Sequence, residues 1–164
     1  MDEISEINVD ALEYKTVKAP HVLYAHGVGP CVAVGALYFD KAYLIHAPIL
    51  SHDISGIMSE MLTDVRKDIR FKDEKNNILF TNGLEFYVLG AGFMANDPHR
   101  IDIEHKRQEV LERICKEGFG KAKMIVDWCR TGYVQSIYLH PDENHKESKA
   151  IIRSTLERAL IDRL

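Results

Sequence analysis

Apolar residues run almost unbroken from Val32 to Phe39 and again from Ala42 to His46, parted only by Asp40-Lys41. Runs this short, with no helix cap and with turn residues around them, suit strands buried on both faces. Together they predict a hairpin that Pro48 ends. His21 to Ala25, just after Pro20, reads as a further strand. Ahead of it, residues 1–18 are polar and weakly patterned and read as a lead-in.

Helical spacing appears next. Ile54, Ile57, Met58, Met61, Leu62, Val65 and Ile69 recur at three and four residues, behind Ser51 and Asp53 as candidate caps. Ile103, Val110, Leu111 and Ile114 give a second amphipathic helix that Gly118 should stop. Between the helices, Ile78–Thr81 and Leu84–Leu89 flank Asn82-Gly83 and predict a hairpin with an Asn-Gly connection. Gly90-Ala-Gly-Phe-Met breaks the pattern as a tight turn. Lys121–Asp127 and Val134–His140 read as strands around Thr131-Gly132. A third helix is expected from about Glu147 to Arg163, apolar at Ile151, Ile152, Leu156, Ala159 and Leu160. Paired strands with three helices predict an α+β layered domain, a single one over residues 19–164.

Composition narrows the classes. Apolar residues make up 46% and charged residues 28% of 164, an ordinary globular balance. A net charge of -4 supplies no basic face for phosphates, so nucleic acid is not an expected partner. No stretch approaches the roughly 20 apolar residues that span a bilayer, so no membrane insertion is expected. The acidic start, Met1-Asp2-Glu3, is unlike a signal peptide. Three cysteines, Cys31, Cys115 and Cys129, with no CxxC pair, suit a reducing compartment, so a cytoplasmic protein is expected.

The candidate chemistry lies at Cys31, at the mouth of an apolar strand behind His26-Gly-Val-Gly-Pro, and at His46, which the hairpin carries back toward it. A thiol becomes a nucleophile as thiolate, and a neighbouring imidazole supplies the base. The thiolate would attack a carboxamide carbon. The imidazolium would protonate departing ammonia and then activate water against the thioester. Backbone amides around Gly29 to Val32, including that of Cys31, are placed to hold the oxyanion, whereas Pro30 has no N–H. On pattern alone, a cysteine on an apolar strand reads first as a small buried residue.

Other features carry less. The eight histidines show no HxH, HxxxH or HExxH spacing, so no metal is expected, and His140 and His145 read as part of a solvated loop. Gly90-Ala-Gly lacks the third glycine and the lysine of a nucleotide loop. Cys115 falls on the inner face of the second helix, and Cys129 beside Trp128 at a strand edge. Both read as core or incidental.

Gly27-Val-Gly-Pro-Cys-Val-Ala-Val, His46-Ala-Pro, Gly90-Ala-Gly-Phe-Met, the helix after it, and Asp127 to Gly132 resemble the CheD-type chemoreceptor glutamine deamidases in order and approximate spacing. The likeness covers roughly residues 20–140. The Cys/His core also looks like that of the cytotoxic necrotizing factor toxins. The resemblance implies a layered α/β/β sandwich of mixed and antiparallel strands flanked by three helices. It also implies a chemotaxis-related hydrolase that deamidates a glutamine-bearing protein substrate without a cofactor and answers to a regulatory protein partner.

Cys31 falls on the family's nucleophile and His46 on its base. The family's threonine six residues before the cysteine is Ala25 here. The group that orients the histidine is therefore a backbone carbonyl, as in the toxins, or the hydroxyl of Tyr24. Pro30 replaces a small hydroxyl residue, and only Thr131-Gly132 stands where the later loop would carry two glycines. A module that keeps the fold without catalysis, or a plain interaction domain, is the rival reading.

Overall fold

A computed structural model of the chain describes residues 3–157. They form a mixed α+β fold, mostly strand, with two α-helices. In chain order the elements are β1 (Glu6–Asn8), β2 (Glu13–Lys18), β3 (Val22–Val28), β4 (Cys31–Tyr38), β5 (Lys41–Pro48), α1 (Ile54–Asp68), β6 (Lys72–Asp73) and β7 (Ile78–Leu79). There follow β8 (Leu84–Gly90), α2 (Arg100–Ile114), β9 (Lys123–Trp128), β10 (Tyr133–His140) and β11 (Lys149–Leu156). One sheet has the order β1-β3-β10-β11, a second β2-β5-β4-β8-β9, and β6 with β7 makes a small third.

The unbroken apolar runs are explained by a core on each face of the five-stranded sheet. Val32, Val34 and Ala36 of β4, Tyr43 and Ile45 of β5, and Phe86 and Val88 of β8 pack against Met58, Met61, Leu62 and Val65 of α1 and Val110 and Ile114 of α2. The alternate positions Ala33, Leu37, Leu44, Tyr87 and Leu89 meet Leu23, Ala25, Ile137 and Leu139 of the four-stranded sheet. Each fully buried aliphatic or aromatic side chain contributes roughly 1.5–3 kcal/mol, so this sheet is the main source of stability. Gly35 lets the sheets approach closely: a Cβ there would lie 2.9 Å from Leu139 Cδ1.

The β4–β5 hairpin pairs as expected, with Val34 opposite Ile45 and Tyr38 opposite Lys41. The first helix also forms, although Asp53 at its N-cap makes no side-chain capping bond. The second ends in a wider turn, Cys115–Phe119, that closes at Gly118 with φ 97°. This turn buries Ile114 and Phe119 and leaves Cys115 exposed, not on the inner face.

Three expectations are corrected. The chain from Lys149 to Leu156 is a strand paired with β10 along all eight residues, not the start of a third helix. Ile152 and Ala150 pack against the inter-sheet core, and β-branched side chains suit that pleated surface. Residues 158–163 of the expected helix lie outside the described residues. Ile78-Leu79 pairs with Lys72-Asp73 rather than with Leu84–Leu89. The Asn82-Gly83 turn forms, with Leu84 N donating to Thr81 O at 2.9 Å, but it redirects the chain. β8 is apolar on both faces, so it is buried between β4 and β9 in preference to a local hairpin. Finally, the polar segment 1–18 carries β1, parallel to β3, and β2, antiparallel to β5.

Candidate active site

Cys31 opens β4 where the chain crosses from the four-stranded to the five-stranded sheet. The crossing is tight: Gly27 has φ 66°, and Gly29 N donates to Gly27 O at 3.0 Å. Gly92 N donates to Gly29 O at 2.8 Å and Ala91 N to Cys31 O at 2.7 Å, which fixes the start of β4 against the end of β8. Gly90 has to be glycine here. Its φ is 90°, and a Cβ would stand 2.0 Å from Cys31 O.

His46 lies opposite Ala33, and Cys31 opposite Pro48. Thiol and imidazole therefore share the face of the sheet that looks toward the four-stranded sheet, as diagonal neighbours, roughly 7–8 Å apart at their stems. His46 is only 6% exposed. Its Nδ1 lies 3.0 Å from the carbonyl oxygen of Val9. A carbonyl only accepts, so Nδ1 carries the hydrogen and Nε2 presents a bare lone pair. Nε2 is buried and has no hydrogen-bond partner among the described residues, Cys31 Sγ included.

Val9 reaches this position because the crossing from β1 to β2 is tied at both ends. Val9 N donates to Tyr24 O at 2.8 Å on β3, and Leu12 N donates to His46 O at 2.7 Å on β5. Lys15 Nζ bonds Asn8 O at 2.8 Å across the same bend.

The thiol of Cys31 is half-buried, and burial raises its pKa above the ordinary value. No ion pair with the imidazole pulls it down in this arrangement. Beside the thiol's turn runs a groove of about 250 Å³ whose walls include Pro30, Phe93, Met94, Arg130, Tyr133 and Glu157.

The remaining expected residues fall as follows. Tyr24 turns its ring to the outer face of β3, stacked on Tyr138 with centroids 5.5 Å apart, so its hydroxyl is not what orients His46. It serves through its carbonyl instead. Ala25 is fully buried between the sheets. The Gly29 amide is engaged by Gly27 O and so is not free for an oxyanion. The amide of Val32 points toward β5, because Cys31 exchanges with the β8 side and direction alternates along a strand. This leaves the Cys31 amide, whose facing carbonyl, Ala91 O, already accepts Arg107 Nε at 3.0 Å and Nη2 at 2.6 Å.

Three residues outside the sequence expectations complete the setting. Val9 gives no signal in sequence, since any residue offers a carbonyl. Arg107, packed over Phe93 and Trp128 at 4.7 and 5.0 Å, braces the turn after Gly90. Gln135 is 2% exposed and inserts its carboxamide between β8 and β9, accepting from Gly90 N at 2.7 Å and donating to Asp127 O at 3.0 Å. It sits at the core parity of β10, with Ile137 and Leu139, and a polar residue there was a readable sign.

Cys129 is buried, its Sγ donating to Tyr133 O at 3.0 Å, with its pKa raised by burial and by Asp127. His145 is not merely solvated: its ring packs tilted against Phe39 with centroids 5.2 Å apart, and its Nδ1 is buried without a partner among the described residues. Among the described residues no three His, Cys, Asp or Glu side chains are grouped to hold a metal ion, and no helix is long and apolar enough to cross a membrane. No protein-family model matches the chain, and no curated protein matches it.

Proposed function

We propose that this protein is a cysteine-dependent amidohydrolase that deamidates glutamine side chains of a protein substrate, with Cys31 as nucleophile and His46 as general base and acid. The observation that carries the reading is the imidazole: its Nδ1 is anchored on Val9 O, and its buried Nε2 is left open on the side of the sheet that bears the thiol. A carbonyl anchor fixes the tautomer that a general base needs. The resemblance to the CheD-type deamidases and to the toxins supplies the substrate class. The α/β/β layering belongs to the same reading, with helices on one face of the five-stranded sheet and the second sheet on the other.

Rotation about the Cys31 Cα–Cβ bond moves Sγ by up to about 3 Å between staggered positions, which brings it toward Nε2. Nε2 takes the thiol proton as sulfur attacks the carboxamide carbon, and the Cys31 amide donates to the oxyanion. The imidazolium returns the proton to the departing nitrogen, ammonia leaves, and a thioester remains. Water, deprotonated by Nε2, then attacks the thioester. Glutamate is released and the thiol restored.

Ammonia release from glutamine-containing proteins is the test. Cys31→Ser and His46→Ala should each abolish it with the fold intact by circular dichroism, whereas Cys115→Ser should leave it unchanged. Release that persists in Cys31→Ser refutes the reading. A retained fold without catalysis predicts no ammonia from the native protein either.

A further inference from the structure

β9 is an edge strand that runs parallel to β8, and among the described residues no strand pairs with its outer side. Cys129 N donates to Gly90 O, and Asp127 O is met by Gln135 from the β8 side, so Cys129, Asp127 and Ile125 direct their backbone groups inward. By alternation Met124, Val126 and Trp128 direct theirs outward, and none of them has a partner among the backbone bonds of the described residues.

The edge is also apolar. Ile125 and Val126, on opposite faces, are 37% and 39% exposed. The other edges are blunted: β1 is three residues long, β2 carries Glu13, Lys15 and Lys18, and β11 carries Lys149 and Arg153. Charges and shortness are how free edges are kept from pairing, and the middle of β9 has neither.

We propose that the β9 edge pairs antiparallel with β9 of a second copy of this chain about a two-fold axis at Ile125. The sequence Lys123-Met-Ile-Val-Asp127 is its own complement in that register. Ile125 faces Ile125 of the second copy as a closely spaced, non-hydrogen-bonded pair. Met124 faces Val126 twice, each pair exchanging both backbone bonds, as their outward amides require.

Lys123 faces Asp127 twice, on the same side of the sheet as Ile125. Lys123 is 65% exposed and held only loosely, 3.7 Å from Glu85. Opposite charges directly across a pair of strands attract, and a two-fold interface repeats the attraction. A pairing in the other parity would leave the outward backbone groups unmatched.

Sedimentation equilibrium of the full chain tests this, with the expected result that the native protein has twice the monomer mass. Lys123→Asp alone and Asp127→Lys alone each bring like charges face to face twice, so each should run at half the native mass. Mixed in equal amounts, the two should recover the double mass, since every 123–127 pair is then opposite in sign. Val126→Pro removes an outward amide that β8 does not use, a position where an edge strand tolerates proline, and should give a monomer with the native circular dichroism and an unfolding midpoint that no longer depends on protein concentration. A native monomer at all concentrations overturns the proposal. So does a dimer that these variants leave intact, or a mixture that stays monomeric.

Discussion

Replacing Gln135 by leucine keeps its volume and removes its carboxamide, which tests whether one side chain holds β8 and β9 in place. Gly90 N–H loses its acceptor at 2.7 Å and Asp127 C=O its donor at 3.0 Å. A buried polar group left without a partner costs about 1–3 kcal/mol. The bond to Asp127 O is part-buried where that from Gly90 N is buried, so its share falls at the low end, and the sum is about 2–4 kcal/mol. For a chain of this size the melting temperature should drop by roughly 2–4 °C per kcal/mol, or ~4–16 °C in total. Urea denaturation should show a lower midpoint with the slope unchanged. Hydrogen exchange gives the local reading: the Gly90 amide should pass from protected to fast-exchanging under conditions where the rest of β8 stays protected. A variant within about 0.5 kcal/mol of the native protein, with Gly90 still protected, refutes the role assigned to Gln135.

Two further outcomes are expected. Gly90→Ala must hold an L-residue at φ 90° with its Cβ driven against Cys31 O and Val28 Cγ1, so it should lose about 3–5 kcal/mol from strain and clash; a loss below about 1 kcal/mol in urea would contradict the geometry. The pKa values of Cys31, Cys129, Tyr14, Tyr43 and Tyr87 are all raised, foremost by burial, with Asp64, Asp68 and Glu85 adding to the tyrosines. Each is neutral when protonated and ionises more readily in the unfolded chain, so its contribution is complete below the unfolded pKa and is lost as pH rises through the folded one. The urea midpoint should therefore hold up to about pH 8.5 and fall above it, more steeply past about pH 10, where unfolded tyrosine ionises. A midpoint that stays flat to about pH 10.5 would contradict the burial of these groups.

The parts of the fold legible in sequence are those where burial and local pattern agree. Val32–Phe39 and Ala42–His46 read as a hairpin because both faces of that sheet are covered, and α1 read as a helix because its apolar positions follow one stripe. Legibility ended where a distant partner decided the outcome. Lys149–Leu156 has a spacing that suits a helix, but β10 offers eight residues of pairing and the inter-sheet core takes Ile152. Leu84–Leu89 and Ile78–Thr81 carry the pattern of a hairpin around Asn82-Gly83, but a two-faced apolar strand is buried more fully between β4 and β9. In the site, Cys31 and His46 were visible as residue types. Val9 was not, because what it contributes is a peptide carbonyl placed by Tyr24 O and by the bend before β2.

If Cys31 and His46 act as proposed, that carbonyl makes the first dozen residues part of the chemistry. No side-chain substitution at position 9 removes it, so a mutational scan would pass over it. A single peptide-bond cut between Val9 and Glu13 would behave differently, since it frees the bend that Leu12 N and Lys15 Nζ hold down. Val9 would then be held only by its bond to Tyr24 O and its packing between the sheets, and the imidazole would lose part of its restraint while the thiol and the β9 edge stayed as they were. On the proposed mechanism, turnover would thus be lost to a protease before the fold, and a clipped preparation would differ from the native one first in ammonia release.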